Sequence, residues 1–213
     1  MNNAPLKYLS LKGECVTEKV IEKSRFITTS RHVEGEDEAR AFIEEIRSTY
    51  KDATHNCHAY IPDIQGNFPR FSDDGEPQGT AGMPMLEVIK NKRLVQTAVV
   101  VTRYFGGIKL GAGGLVRAYS GAVAENLSAA AVVCFQTCSE LKVFTDYSVA
   151  ENVTRFIAER KADLIDTAYA DGVVFTVAVK KEDESEFLSS LTNRLNGRLK
   201  TEKIKEYYFP FRI

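Results

Sequence analysis

The sequence predicts an α+β protein of two domains, residues 1–135 and 136–213. Three observations carry that expectation. Segments with strand-like alternation interleave with segments of helical periodicity; the pattern resets around Ala129 to Cys138; and beyond that point the elements follow the ferredoxin-like order β-α-β-β-α-β. At 213 residues the chain is long enough for two small domains, each burying a core.

The elements follow in order. From Gly13 to Val33, "GECVTEKVIEKSRFITTSRHV" is rich in Val, Ile, Thr and Phe with rough alternation, which predicts two strands joined near Lys23 and Ser24. In "EDEARAFIEEIRSTY", Ala39, Phe42, Ile43, Ile46 and Tyr50 share one helical face, and acids crowd the first turn where the helix dipole favours them. "THNCHAYIPD" reads as a strand ending at Pro62, and "FSDDGEPQGTAGMP" is turn chemistry throughout. A short helix in "MLEVIKNKRL" precedes "VQTAVVVTRYF", an apolar run typical of a buried strand. After "GGIKLGAGG", Leu115, Ala118, Tyr119, Ala122, Val123 and Leu127 make one helical stripe, whose small residues predict close packing on a sheet.

Past the reset, "ELKVFTDY" is a strand, and Ser148 with Glu151 three residues on predicts a capping box opening a helix with Val149, Val153, Phe156 and Ile157 inward. "ADLIDTAYA" and "VVFTVAVK" flank Asp171 and Gly172 as a hairpin. A helix carrying Phe187, Leu188, Leu191 and Leu195 stops at Gly197, and "LKTEKIKEYYFPF" is the last strand.

Composition limits the functions available. The chain is 44% hydrophobic and 27% charged, with net charge -1, so it has no overall basic character to draw nucleic acid or anionic membrane indiscriminately. Any anion site must be local. The N-terminal stretch lacks the basic and apolar regions of a signal peptide, and no apolar run approaches a membrane span, so a cytoplasmic protein is expected. Cys15, Cys57, Cys134 and Cys138 are too scattered for a disulfide framework and lack C-x-x-C spacing, so neither a structural metal nor a cofactor is expected.

Chemistry concentrates in two stretches. In "RYFGGIKLGAGGLVRAYSGA" a strand ends in glycines and feeds a helix, which gathers backbone N–H groups and the positive helix end at one place. Nucleotide motifs nevertheless fail: Ala112 and Gly113 stand where a P-loop needs Lys and Ser or Thr, and Val116 occupies the third glycine position of a dinucleotide fingerprint. From Gly82 to Gly121, Lys90, Lys92, Arg93, Arg103, Lys109 and Arg117 face only Glu87, a local surplus of five positive charges. Arg103 and Phe105 share one strand face and Tyr104 takes the other, so a basic, aromatic surface for RNA is one reading, and a strand capped in the core beneath solvated charges is the other.

The second stretch, "FSDDGEPQGTAG", offers Asp73, Asp74 and Glu76 with Ser72 and Thr80. These carboxylates suit a metal or general-base role, the capping of backbone N–H groups, or pairing with the basic segment. In "HNCHAY", alternation separates His55 and Cys57 from His58, against a shared metal site. Cys57 reads either as a nucleophile with a histidine base or as a packing residue.

These motifs resemble the IMPACT family, and specifically its bacterial, YigZ-like branch. The signature falls on Gly82, Met85, Leu86, Ile89, Leu94, Val100, Val101, Arg103, Tyr104, Phe105, Gly106 and Gly107, then Leu110 and Gly111, with "SDDGEPQGTAGMP" upstream as a second hallmark. The resemblance implies an N-terminal α+β sandwich like a ribosomal-protein domain shared with translation factors. It also implies a C-terminal ferredoxin-like domain similar to the last domain of the translocating elongation factor. Eukaryotic relatives regulate translation under amino-acid starvation through an additional N-terminal domain with no counterpart in this sequence, so that role does not transfer.

The resulting expectation is a non-enzymatic, translation-linked regulator with a role in stress. It binds RNA, the ribosome or a translation-associated protein through Arg103, Tyr104, Gly106, Gly107, Lys109, Gly111, Gly113, Gly114 and Arg117, with Lys90, Lys92 and Arg93 adding electrostatic contacts. The alternative is a hydrolase or transferase acting on a phosphorylated small molecule, with Asp73, Asp74 or Glu76 as metal or base site. Self-association of the ferredoxin-like domain into a homo-oligomer is a third class of role.

Overall fold

The computed structural model describes residues 7–160 and 162–212. Compactness divides the chain into two units, one of the residues up to Cys134 together with Arg212 and one running Phe135–Phe211.

In the first unit, β1 (Lys7–Leu11), β2 (Glu14–Ile21), β3 (Ser24–His32), α1 (Glu36–Thr49), β4 (His55–Ile61), β5 (Arg70–Ser72), α2 (Gly82–Asn91), β6 (Thr97–Tyr104) and α3 (Gly111–Ala129) follow in order. The main sheet has the order β2-β3-β6-β4-β5. Its centre is β6, antiparallel to both β3 and β4. Because successive side chains in a strand alternate faces, Ala98 and Val100 pack with Phe42, Ile43 and Ile46 of α1, while Val99 and Val101 pack with Met85, Ile89, Tyr119 and Val123 of α2 and α3. That two-sided burial accounts for the unbroken apolar run. The β2–β3 hairpin closes through Glu22 and Lys23, both at positive φ, the geometry of the turn that matches strand twist.

The second unit contains most of β7 (Val132–Thr145), then α4 (Ala150–Glu159), β8 (Asp163–Tyr169), β9 (Val173–Lys180), α5 (Glu184–Arg194) and β10 (Lys200–Arg212). Here β7 pairs with β9 and β10, and β9 with β8, giving β10-β7-β9-β8 with α4 and α5 packed on one face through Val153, Phe156, Phe187 and Leu191. This is the ferredoxin-like arrangement.

Several local expectations change. The strands β1 and β5 are additional to the sequence reading, α2 begins at Gly82 and β7 begins at Val132. The predicted capping box is absent: residues Tyr147–Val149 form a 3-10 turn, α4 has no side-chain cap, and Glu151 pairs with Arg155 instead.

Candidate functional site

Arg103 lies at the end of the central strand, directly opposite Phe26 on β3 and His55 on β4. The three form a row on the face covered by α2 and α3. Arg103 is only 4% exposed. Its Nη1 donates to Glu76 Oε1 at 2.6 Å and its Nη2 to Ser24 Oγ at 3.2 Å, while its Nε is buried without a partner. The guanidinium carbon stands 5.4 Å from the Phe26 ring centre and 5.5 Å from that of Phe105. The hydroxyl of Tyr119, from α3, donates to the same Glu76 oxygen at 2.7 Å. A buried charge is tolerable only when paired and hydrogen-bonded, and here strand, loop and helix each supply a partner.

The DDGEP turn divides its carboxylates among different tasks. Asp73 accepts from the N–H groups of Gly79, Ala81 and Gly82, closing the N-terminus of α2. Burial opposes its ionisation, but those three bonds outweigh it and hold the carboxyl below the usual range. Asp74 accepts from Arg47 at 2.8 Å and from the Asn56 N–H at 2.6 Å. Only Glu76, 8% exposed, reaches the row containing Arg103. Of the readings open to these carboxylates, Asp73 and Asp74 take the capping of backbone N–H groups and Glu76 takes the pairing with the basic segment. Among the described residues, no three His, Cys, Asp or Glu side chains converge as metal ligands.

The turn's main-chain oxygens also hold the histidine and cysteine of β4. His55 Nδ1–H donates to the Asp74 carbonyl at 2.8 Å, and the Cys57 thiol lies 3.0 Å from the Asp73 carbonyl and 3.4 Å from the Tyr119 hydroxyl. Burial pushes the Cys57 thiol up to about 12. It is a packing residue rather than an activated nucleophile. Burial also pushes His58 below its ordinary value, on the opposite side of the strand.

Beyond Arg103 the chain passes close against the β2–β3 turn. A Cβ on Gly106 would sit 2.0 Å from the carbonyl carbon of Lys23, so only glycine lets this loop lie against the β2–β3 turn, where the Gly106 N–H donates to Ser24 Oγ. Gly107 and Gly111 have positive φ. They turn the loop into α3, whose N-terminus has neither a side-chain cap nor an acid in its first turn. The first-turn N–H groups of a helix need partners from outside it. At α2 the Asp73 carboxylate takes the N–H groups of Gly82, its first residue, and of Ala81 just before it; α3 instead opens onto a cleft of about 320 Å³ lined by Glu76, Arg103, Phe105, Lys109, Gly111 and Leu115. A second cleft of about 460 Å³, lined by Ile21, Glu22, Lys109, Gly114 and Arg117, lies across Lys109 and Leu110 from the first. Phe105 is 46% exposed at the mouth.

The structure thus brings together Arg103, Lys109, Gly111, Gly114 and Arg117, with Gly106 and Gly107 shaping the approach and Gly113 inside the first turns of α3. It differs from the sequence grouping in three respects. Arg103 is a buried strut rather than an exposed contact. Tyr104 points away, its hydroxyl donating to Asp52 at 3.0 Å. Lys90, Lys92 and Arg93 lie at the far end of α2, where Lys92 Nζ bonds Ser128 Oγ at 3.1 Å, about 27 Å along α3 from Leu110 at about 1.5 Å per residue. Lys90 is further occupied by Glu87. Ser24, Phe26 and Tyr119 also support the site, and in the sequence only the small-residue stripe around Tyr119 points there.

Residues 22–127 match the family model described as the Impact N-terminal domain, and residues 143–198 match one described only as a domain of unknown function, DUF1949. The chain is 41% identical to the IMPACT family member YvyE of Bacillus subtilis (strain 168), covering 90% of this chain and 88% of that protein. It is 35% identical to the IMPACT family member YigZ of Escherichia coli (strain K12), covering 87% and 92%. A solved structure described as a hypothetical protein superposes with a TM-score of 0.62 at 32% identity, covering 94% of this chain and 98% of that one. With both matched domains present, and relatives aligned along most of its length, the chain belongs to the IMPACT family, in its YigZ-like branch.

Proposed function

We propose that this protein is a non-enzymatic, translation-linked regulator that binds RNA, free or within the ribosome, through the clefts at the N-terminus of α3. The observation that carries this reading is the uncapped end of a 19-residue helix beside Lys109 and Arg117, neither of which has a carboxylate partner among the described residues. Backbone N–H groups and the helix dipole favour a phosphate there, and the exposed ring of Phe105 offers a base a stacking surface. Two clefts meeting at Lys109 suit a strand with successive phosphates better than a single small anion.

Ribosome co-sedimentation and filter binding to single-stranded RNA across a salt titration test this. Binding is expected at low salt, and Lys109→Ala with Arg117→Ala weakens it by about tenfold or more. Undiminished binding by that double variant would remove the site. Arg103→Ala is a poor probe, because it strips the partner from buried Glu76.

The second reading, hydrolysis or transfer on a phosphorylated small molecule, is favoured by one observation: Glu76 lines the same cleft as the helix end. Turnover of a phosphate ester, abolished in a folded Glu76→Gln variant, would establish it.

A further inference from the structure

A carboxylate beside an anion-binding helix end calls for a physical reason. Glu76 Oε1 is taken by Arg103 Nη1 and the Tyr119 hydroxyl, at 2.6 and 2.7 Å, so Oε2 is its remaining acceptor, with no hydrogen bond among the described residues. The same cleft is lined by Gly111 at the start of α3, by Lys109 and by Arg103, whose Nε is buried without a partner. One wall donates and the other can only accept. A phosphodiester has no proton to give, and a purely anionic ligand would meet Glu76 with like charge. The complementary ligand therefore carries a hydroxyl or N–H donor close to its phosphate.

We propose that the cleft reads the ribose of an RNA strand. Phosphate sits on the α3 N-terminus and Lys109, the base lies against Phe105, and the 2′-hydroxyl donates to Glu76 Oε2. This rests on the RNA-binding reading above and deepens it, because it makes RNA rather than DNA the ligand. Deoxyribose leaves Glu76 without a donor and facing the phosphate, whereas the 2′-hydroxyl supplies the distinguishing group. Arg103 and Tyr119 act as positioning residues that fix the carboxylate.

Fluorescence anisotropy with the full chain and single strands of one length, at fixed salt, tests the assignment. Oligouridylate is the probe, compared with oligodeoxyuridylate, which differs only at the 2′ position, and with 2′-O-methyl oligouridylate, which keeps the acceptor and loses the donor. The expected result is about five- to tenfold tighter binding of the ribose strand than of either analogue, the effect of one hydrogen bond. A Glu76→Gln variant, shown to be folded by circular dichroism, brings the ratio toward one. Equal affinity of the wild-type protein for all three strands overturns the ribose assignment and leaves the RNA-binding reading standing. Salt-insensitive or absent binding of all three overturns both. Free uridine monophosphate competing as well as the strand would overturn the choice of a polymer.

Discussion

At Cys57, burial decides between the two roles open to a cysteine beside histidines. Its thiol, pushed up to about 12, holds only about one part in ten thousand as thiolate near pH 8. Iodoacetamide is therefore expected to leave Cys57 unmodified in the native protein and to label it in denaturant, while half-buried Cys15 and Cys134 react first. Peptide mass spectrometry with and without urea reads this directly, and native labelling of Cys57 would show a more open floor. Arg103 obeys the same logic with opposite sign. Removing it strands the Glu76 carboxylate in a place it cannot leave, so Arg103→Ala should cost about 3–5 kcal/mol in urea unfolding, far above a surface pair. Double replacement of Arg103 and Glu76 by apolar residues should restore part of that loss, since the uncompensated charge is then gone.

Among the elements, α2 shows how a carboxylate that looks catalytic in sequence serves structure. Asp73 satisfies the N–H groups of Gly82 and Ala81 at the start of that helix and of Gly79 in the turn before it. Its folded-state value is depressed, so its contribution is present above the unfolded carboxyl range near 4 and is lost as pH falls through the folded value. Asp73→Asn should lower stability by about 1 kcal/mol near neutral pH, and the gap to wild type should close on acidification, measured by urea midpoints at both pH values. Elements with a full period were legible beforehand: α1 shows its inward face in Ala39, Phe42, Ile43 and Ile46, and β6 its two-sided burial. Strands β1, of 5 residues, and β5, of 3, are too short to display a period. Ser148 and Glu151 had cap spacing, but Arg155 one turn on gave Glu151 another partner. Of the site, the glycine loop and helix end were readable as an anion cradle. The burial of Arg103 was not, because its partner Glu76 lies 27 residues away in sequence and only the fold joins them. Nor could local charge reveal that Lys90, Lys92 and Arg93 sit at the other end of the helix pair.

For the molecule as a whole, a net charge of -1 removes any general attraction to polyanions, so salt dependence becomes a count of local contacts. Each phosphate neutralised on a single strand contributes about 0.7 to the slope of log affinity against log salt. With Lys109 and Arg117 at the clefts and without an ion pair among the described residues, their joint replacement by alanine should reduce that slope by about 1.4, for RNA of any base sequence. Replacing Lys90, Lys92 and Arg93 should leave it nearly unchanged, because about 27 Å along α3 exceeds a screening length of about 10 Å at moderate salt. The two outcomes are separable in one titration series. If the slope falls with the Lys90 to Arg93 substitutions and not with those at Lys109 and Arg117, RNA tracks the opposite end of the helix pair, and the uncapped N-terminus of α3 is a packing turn after all.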